Sequence, residues 1–292
     1  MSALPDAVAP LPPKVAALRS RYQRSLAALG LPALLLLALL FAYPVLRLMG
    51  LSLSDGSLQW YEKALGEGLY LEVYWITFRI AGIVTLAALL LGYPVAYFLA
   101  TTTRFWTAVG FVCVILPLWT SILVRTYAWM VLLGRNGIVN RLLLDLGLVR
   151  EPLPLLYNEL GVVIGMVHVL IPYMVLPIFS SLKRLDPSLV QAAEGLGAPA
   201  ARIFLRIVLP LSLDGVFAGV ILVFVLSLGF FVTPALLGGG RVIMIAVLIE
   251  QQVREALNWP FAAALAAVLL VATIAIYGLA QRSLGRGGEV PP

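Results

Sequence analysis

The chain of 292 residues is 62% apolar and only 12% charged, where an ordinary soluble domain is about 45–50% apolar and about 25% charged. So few charges cannot cover so much apolar surface in water, and the apolar residues are gathered into runs longer than the roughly 18 that mark a membrane span. A soluble fold is excluded, and the formal charge of +6 reflects basic loops beside a membrane rather than a nucleic-acid surface.

Residues 1–25 are rich in Ala and Pro and end in the basic cluster Arg19, Arg21 and Arg24, which reads as a tail ahead of the first span. Uncharged spans are predicted at Leu26–Leu46, Ile80–Ala100, Phe105–Val124, Leu160–Leu182, Gly215–Gly240 and Pro260–Ala280. At 1.5 Å of rise per residue, about 20 residues cross a hydrocarbon core of about 30 Å. Barrel strands would be near 10 residues long and would alternate, so the spans are helices. The reading is an all-α integral membrane protein of six transmembrane helices, with the six-helix transmembrane domain over 26–283 and a second tail over 284–292. The first run is longer than the apolar core of about 7–15 residues in a cleaved signal, so it reads as an uncleaved anchor. Pro32, Pro44, Pro94, Pro117, Pro172 and Pro177 fall inside these spans and are read as kinks that neighbouring helices tolerate. The single cysteine, Cys113, rules out an intramolecular disulfide.

Basic residues set the orientation. With the N-terminus inside, the inner set holds Lys14, Arg19, Arg21, Arg24, Arg104, Lys183, Arg184, Arg202, Arg206, Arg282 and Arg286. The outer set is the smaller one, and its loops also carry acids such as Glu72, Glu159 and Glu250. Both termini are therefore expected on the cytoplasmic side.

Catalytic chemistry is sparse. His168 is the only histidine, has no second ligand to share a metal with, and reads as a packing or hydrogen-bonding residue. Neither a GxxxxGK[ST] phosphate loop nor a Gly-x-Ser-x-Gly turn is found, so neither ATP nor Mg is expected on this chain. The uncharged spans contain no Asp or Glu, which argues against a stand-alone ion-coupled carrier. A membrane-embedded enzyme lacks a nucleophile or an acid–base pair. Energy is expected from another subunit.

The segment between spans four and five, residues 183–210, carries the most information. Asp186 followed by Pro187 is a helix start, because the carboxylate caps free N–H groups and proline suits the first helical position. A short helix is predicted from Pro187 to about Gly195, a reversal at Gly195 and Gly197, and a second helix from Pro199 towards Leu209, with Pro210 at the entry to span five. The pair is read as a helix–turn–helix at the membrane surface. Ala192, Ala193, Gly195 and Gly197 leave little side-chain bulk, which suits either a partner's close approach or packing on its own bundle.

At this point the sequence resembles a known family. Inner-membrane permeases of binding-protein-dependent ABC importers carry a cytoplasmic loop written EAA, three residues, Gly, nine residues, Ile, any residue, Leu-Pro. Ala192, Ala193, Gly197, Ile207, Leu209 and Pro210 stand at that spacing. Gln191 replaces the family's first Glu, keeping its length and hydrogen bonding but losing its charge. The polyamine-type branch is also similar over "GYPVAYFLA", "LPLWTSILVRTYAW", "YNELGVVIGMVHVLIPYMVLPI", "FFVTPALLGG" and "NWPFAAALA". The resemblance implies a type I importer permease fold in the bacterial inner membrane. It implies a coupling loop made of Gln191, Ala192, Ala193, Glu194, Gly197, Ala198, Arg202, Ile207, Leu209 and Pro210, with Gly197 as its pivot. It further implies an ATPase pair that binds the ATP and Mg, a second permease and an extracytoplasmic solute-binding protein. The implied cargo is polyamine-like, with another small solute (an amino-acid derivative, thiamine, a phosphonate or other anion) as the alternative.

Two arginines near the membrane remain. Arg79 is placed near the outer part of span two, where it snorkels or meets lipid headgroups. Arg125 sits among Trp119, Tyr127 and Trp129. Either these form an interfacial aromatic belt, or Trp119, Arg125 and Tyr127 line the mouth of a pathway. An arginine there would repel a cationic amine unless an acid such as Glu72, Glu159 or Glu250 compensates it. Beyond span five, Val242–Ile249 is too short to cross and reads as a surface or re-entrant helix, with Glu250 and Arg254 paired four apart.

Overall fold

The computed structural model describes residues 13–54 and 56–285, with side chains described for 30–32, 34–54 and 56–278. Residues 1–12 of the expected N-terminal tail and residues 286–292 of the C-terminal one lie outside the described residues. Helix α1 (Pro13–Ser52) begins inside the stretch expected to be a tail, and its apolar span runs from Gly30 to Ser52. Short α2 (Gln59–Gly66) leads into α3 (Gly68–Thr101). At 34 residues α3 is far longer than the predicted Ile80–Ala100, because Val73, Tyr74 and Thr77 continue the buried face outward through Arg79.

The third span departs from expectation. Phe105–Val124 is not one helix but α4 (Arg104–Trp119) and the start of α5 (Ile122–Leu133), with a bend of 101° between α4 and the segment Ile122–Asp145 that α5 opens. Pro117 weakens the last turn of α4. The Thr120 hydroxyl then takes the Pro117 carbonyl at 2.9 Å, closing the helix two residues before α5 starts. Apolar periodicity runs straight through this break, so a sequence reading passes over it. After α6 (Ile138–Asp145), α7 (Glu159–Lys183) matches the predicted fourth span closely.

Next come α8 (Pro187–Gly195), α9 (Ala200–Ile203), a π-helical turn (Phe204–Val208) and α10 (Leu209–Leu228). The last three form one apolar span of 29 residues, Ala200–Leu228. This corrects two expectations. The fifth span is not Gly215–Gly240, since Gly229 ends it and the remainder forms α11 (Val232–Leu237). The second helix of the loop is not a separate surface helix but the first turns of that span. Helix α12 (Ile245–Arg254) is the short helix expected there, and α13 (Trp259–Gly285) contains the predicted sixth span.

The core is built from α3, α7 and α10, which interlock through Ile80, Val84 and Ala88, through Met166, Leu170, Met174 and Ile178, and through Val216 and Val223. In lipid, helices gain nothing from leaving an apolar medium, so close packing must hold them together. Gly215 and Gly219 provide it. A Cβ at Gly215 would stand 2.5 Å from Ser181 Cβ and 2.6 Å from the Pro177 carbonyl, and one at Gly219 would stand 2.8 Å from Met174 Sδ.

Two inter-helix links bracket the slab. The Arg79 guanidinium pairs with Glu159 at the start of α7, and Lys183 Nζ donates to the Ala100 carbonyl at 2.8 Å at the other end. Between these levels α3 rises roughly 32 Å and α7 roughly 36 Å at 1.5 Å per residue, which matches a hydrocarbon core of about 30 Å. Arg79 thus pairs with a carboxylate at the membrane boundary rather than reaching for lipid headgroups, and Glu159 is engaged there. Beyond that level α2, α12 and the starts of α3 and α13 form a second cluster around Ala64, Val73, Tyr74, Ile245 and Phe261. Tyr74 donates to the Leu265 carbonyl at 2.8 Å, and Thr77 Oγ1 accepts from the Ile245 N–H at 2.8 Å.

The packing makes a direct prediction. Gly215→Ala should destabilise the purified protein by about 1–3 kcal/mol, because overpacking forces backbone or side-chain shifts. Gly82→Ala, with nothing within 4 Å of its added Cβ, should be neutral or stabilising by up to about 1 kcal/mol. Thermal unfolding in detergent reads both.

Candidate functional site: the membrane-edge loop and the broken span

The loop at the Lys183 end of the slab is specified residue by residue. Asp186 Oδ1 accepts from the Ser188 N–H at 2.9 Å and Pro187 follows at the first helical position, so α8 starts where capping chemistry puts it. That N–H donor stabilises the carboxylate and holds the Asp186 pKa below its ordinary value. At the other end Gly197 adopts φ +76°. The Gly197 N–H donates to Glu194 at 2.9 Å and the Ala198 N–H to Ala193 at 3.0 Å. This pair of bonds is a Schellman closure, which needs the left-handed residue four places after the carbonyl that accepts the longer bond. The interval between Ala193 and Gly197 is therefore a statement about backbone geometry. Gly195, expected to share the reversal, is instead the last helical residue.

The loop faces outward. Gln191, Ala192, Glu194 and Arg202 are exposed, Ala193, Ala198, Ile207 and Leu209 are half-buried, and α8 buries no residue. Leu196 at the tip is 88% exposed. Leu196 lies outside the motif positions, and its signal in the sequence is an apolar residue at the apex of a polar turn. Behind the loop lies a cavity of about 370 Å³ lined by Tyr97, Asp186, Gln191, Glu194 and Phe204.

The broken span presents the second constellation. Trp119, Arg125 and Tyr127 do not form one cluster. Trp119 is 88% exposed and lines an apolar groove with Phe111, Val112, Ile115 and Leu116, while Tyr127 is exposed on α5. Arg125, in the first turn of α5, lies within electrostatic reach of Tyr173 and His168, and its Nε and Nη1 are buried without an acceptor among the described residues. Trp129 Nε1 donates to His168 Nδ1 at 3.0 Å. An indole N–H only donates, so His168 is the neutral imidazole with its proton on Nε2. Thr126 and Thr233 approach to 3.3 Å between their hydroxyls, tying α5 to α11. His168 also lines a cavity of about 520 Å³ with Cys113 and three span prolines, Pro94, Pro117 and Pro172. Each of those prolines withholds an N–H from its own helix. Of the acids expected to face Arg125, Glu159 is taken by Arg79 and Glu250 pairs with Arg254 at 3.0 Å.

Among the described residues, five unbroken apolar spans, a sixth bent at Thr120–Ser121 and a capped reversal between α8 and α9 at one membrane face define a polytopic helical membrane domain. The profile of the family described as binding-protein-dependent transport system inner membrane component matches residues 25–286, and the chain belongs to that family. It is the permease subunit of an ABC importer, a multi-pass protein of the bacterial inner membrane. It is 36% identical over 225 residues to the spermidine/putrescine transport system permease protein PotB of Haemophilus influenzae, covering 76% of this chain and 79% of that one. With PotB of Escherichia coli it shares 36% identity, over 77% of this chain and 82% of that one. With the inner membrane ABC transporter permease protein YdcU of Escherichia coli it shares 35%, over 76% and 74%. In fold it is similar to a chain of a bacterial ABC transporter for the import of alginate, with TM-score 0.70, 17% identity, and 94% of this chain and 100% of that one covered. A chain of a bacterial alginate ABC transporter in complex with its pentasaccharide-bound periplasmic protein gives TM-score 0.76 at 16% identity, over 93% of this chain and 98% of that one. The type I importer fold is thereby shown.

The cap of α8 is testable alone. Asp186→Ala should speed hydrogen exchange at the first α8 amides, whereas Asp186→Asn, an equal cap, should leave it unchanged. Because folding lowers the Asp186 pKa, the cap is complete above the free carboxyl value of about 3.9 and is lost as pH falls below it. Exchange at the α8 start, corrected for intrinsic rates, should therefore be flat from pH 8 to 5.

Proposed function

We propose that this chain conducts polyamines, spermidine and putrescine, into the cytoplasm as one half of a permease pair, driven by an ATPase pair docked on the α8 loop. The observation that carries the reading is the 36% identity to PotB permeases over three quarters of the chain. The α8 end of the slab is the cytoplasmic side in this reading, with both termini there, because Arg104, Lys183, Arg184, Arg202 and Arg206 gather at that face. A solute-binding protein then meets the opposite face, formed by α2, α6 and α12.

The geometry supports a lever. Gln191, Ala192, Ala193 and Glu194 present a low, polar ridge, and Leu196 stands out as an apolar knob suited to a groove on the ATPase. ATP binding draws the two ATPases together and carries the seated loops with them. Because α9 runs without a break into α10, the displacement passes into the α3–α7–α10 core. The bundle then exchanges a cavity open to the cytoplasm for one open to the loaded binding protein, two packings each favoured by one ligand state. The short turns between α4 and α5 and between α10 and α11 supply the non-helical joints such a change needs. ATP and Mg belong to the ATPase, and this chain's share is coupling and the path.

An anionic solute is the second reading, favoured by the Arg125 guanidinium near the middle of the slab. Reconstitution with the neighbouring binding protein and ATPase decides between them. Radiolabelled spermidine should accumulate on ATP addition, competed by putrescine and not by phosphate or carboxylate solutes. Competition by anions alone would replace polyamine with the second reading. Leu196→Asp should insert and assemble normally yet lower uptake at least about tenfold, the effect of about 1.4 kcal/mol lost from docking; unchanged uptake would remove Leu196 from the interface.

A further inference from the structure

Between α9 and α10 the helix is π-wound over Phe204–Val208, and the Leu209 N–H reaches back five residues to the Phe204 carbonyl. Pro210 explains it. In an α-helix the residue at 210 would donate to the Arg206 carbonyl, but proline has no N–H and its ring presses on that carbonyl. The wider turn relieves this conflict, and such turns often mark functional positions.

The π turn changes which residues face the core. Along this span the buried positions run Ile203, Val208, Ser212, Gly215 or Val216, Gly219, Val223. The step from Ile203 to Val208 is five residues, where an α-helix would bury a position three or four away. Relative to an unbroken α-helix the turn holds one extra residue. Everything on its α8 side is therefore rotated by roughly 100° about the helix axis. That rotation brings Phe204 against α3, where its ring meets Tyr93 and Tyr97 edge-on, with centroids 5.9 and 5.5 Å away and planes at 87° and 83°. Tyr93 also hydrogen-bonds Ser212 across the two helices at 2.9 Å, and Ser212 Oγ donates to the Leu209 carbonyl at 2.9 Å. Phe204 is thus gripped by two tyrosines one turn apart, and the grip is tied to α10 just past Pro210.

Space around α8 makes this contact matter. The helix buries none of its residues, and the cavity of about 370 Å³ separates much of it from α3. A push on the loop enters the bundle through the short link to α7, the backbone into α10, the small contacts of Val190, Ala193 and Ala198, and the Phe204 ring, the largest side chain among the loop's contacts with the core.

We infer that Phe204, held between Tyr93 and Tyr97 by the π turn that Pro210 imposes, is a positioning residue for transport: it makes the coupling loop, α3 and α10 move as one body. The inference rests on the reading that α8 docks an ATPase, and it concerns how the displacement is passed on rather than what is carried. Without the ring, the backbone still moves α10, but the loop loses its direct aromatic hold on α3, which is then reached through α7, α10 and the Lys183–Ala100 hydrogen bond.

The test uses the transporter assembled with its ATPase in proteoliposomes, on a Cys113→Ser background with spin labels at Thr103→Cys and Ser188→Cys. The label distance should be single and narrow, and the same with and without ATP. Phe204→Ala should broaden it and lower uptake per ATP hydrolysed at least about fivefold, since two edge-on aromatic contacts are lost, while basal hydrolysis persists. Phe204→Tyr, which keeps the ring, should restore both. A narrow distance and normal uptake per ATP in Phe204→Ala would overturn the inference. Should that variant fail to assemble, Pro210→Ala carries the test: relaxation of the turn should shift the label distance, and an unshifted distance overturns it. If no ATPase copurifies with the wild type, the proposed function fails instead. The label distances in the lone permease then still decide whether Phe204 joins the loop to α3.

Discussion

Everything in this permease hangs on how closely α10 can approach α7. In hydrocarbon neither helix gains by hiding apolar side chains, and only contact at backbone distance offers packing that lipid cannot match. Gly215 and Gly219, one turn apart, allow that contact against Pro177, Ser181 and Met174. Helix α3 fills the remaining side through Gly92, whose added Cβ would sit 3.1 Å from Met174 Cγ. The three helices so joined carry the two devices that matter for function. One end holds the capped α8 loop, and the middle holds Trp129, His168, Tyr173 and Arg125. Movement of the loop and reshaping of the middle are thus events in a single packed body.

The membrane boundary is drawn by polar chemistry at both ends of that body. Arg79 with Glu159 and Lys183 with the Ala100 carbonyl are costly in hydrocarbon and acceptable at an interface. Their separation fits the thickness of the core they enclose. What lies outside them differs in kind. At the Glu159 end, α2, α12 and the helix starts build a folded cap with its own apolar cluster. At the Lys183 end, α8 buries no residue and meets the core only through the half-buried Val190 and Ala193. A rigid cap suits a face that receives a large soluble partner, and a thinly held helix suits a face that is moved.

Much of this was legible in the residues. Composition fixed the class, and the uncharged runs located the fourth and sixth spans well. The Asp186-Pro187 start and the Gly197 reversal were readable because capping and positive φ are local requirements that few residue types meet. The misread elements share a physical cause. In lipid, apolar runs report burial in hydrocarbon and not where a helix stops, so the break at Thr120–Ser121 and the end of α10 at Gly229 left no hydropathy trace. Arg79 was misjudged for the opposite reason: its partner Glu159 is 80 residues away, a distance that no local rule bridges. The π turn was hidden as well, although the five-residue step between Ile203 and Val208 and the position of Pro210 record it in retrospect. Trp119, Arg125 and Tyr127 read as one constellation because they are close in sequence. The bend at Thr120 and the helical spacing of α5 send them to different surroundings.

In the proposed assembly the α8 loop is where an ATPase drives this permease. A photo-crosslinking residue placed at Leu196, whose side chain is 88% exposed, tests it most directly in membranes containing the assembled transporter. The expected product is an adduct of the permease with the ATPase subunit whose yield changes when ATP is added. An adduct confined to lipid, or no ATPase adduct while crosslinks from the opposite face form normally, would contradict it.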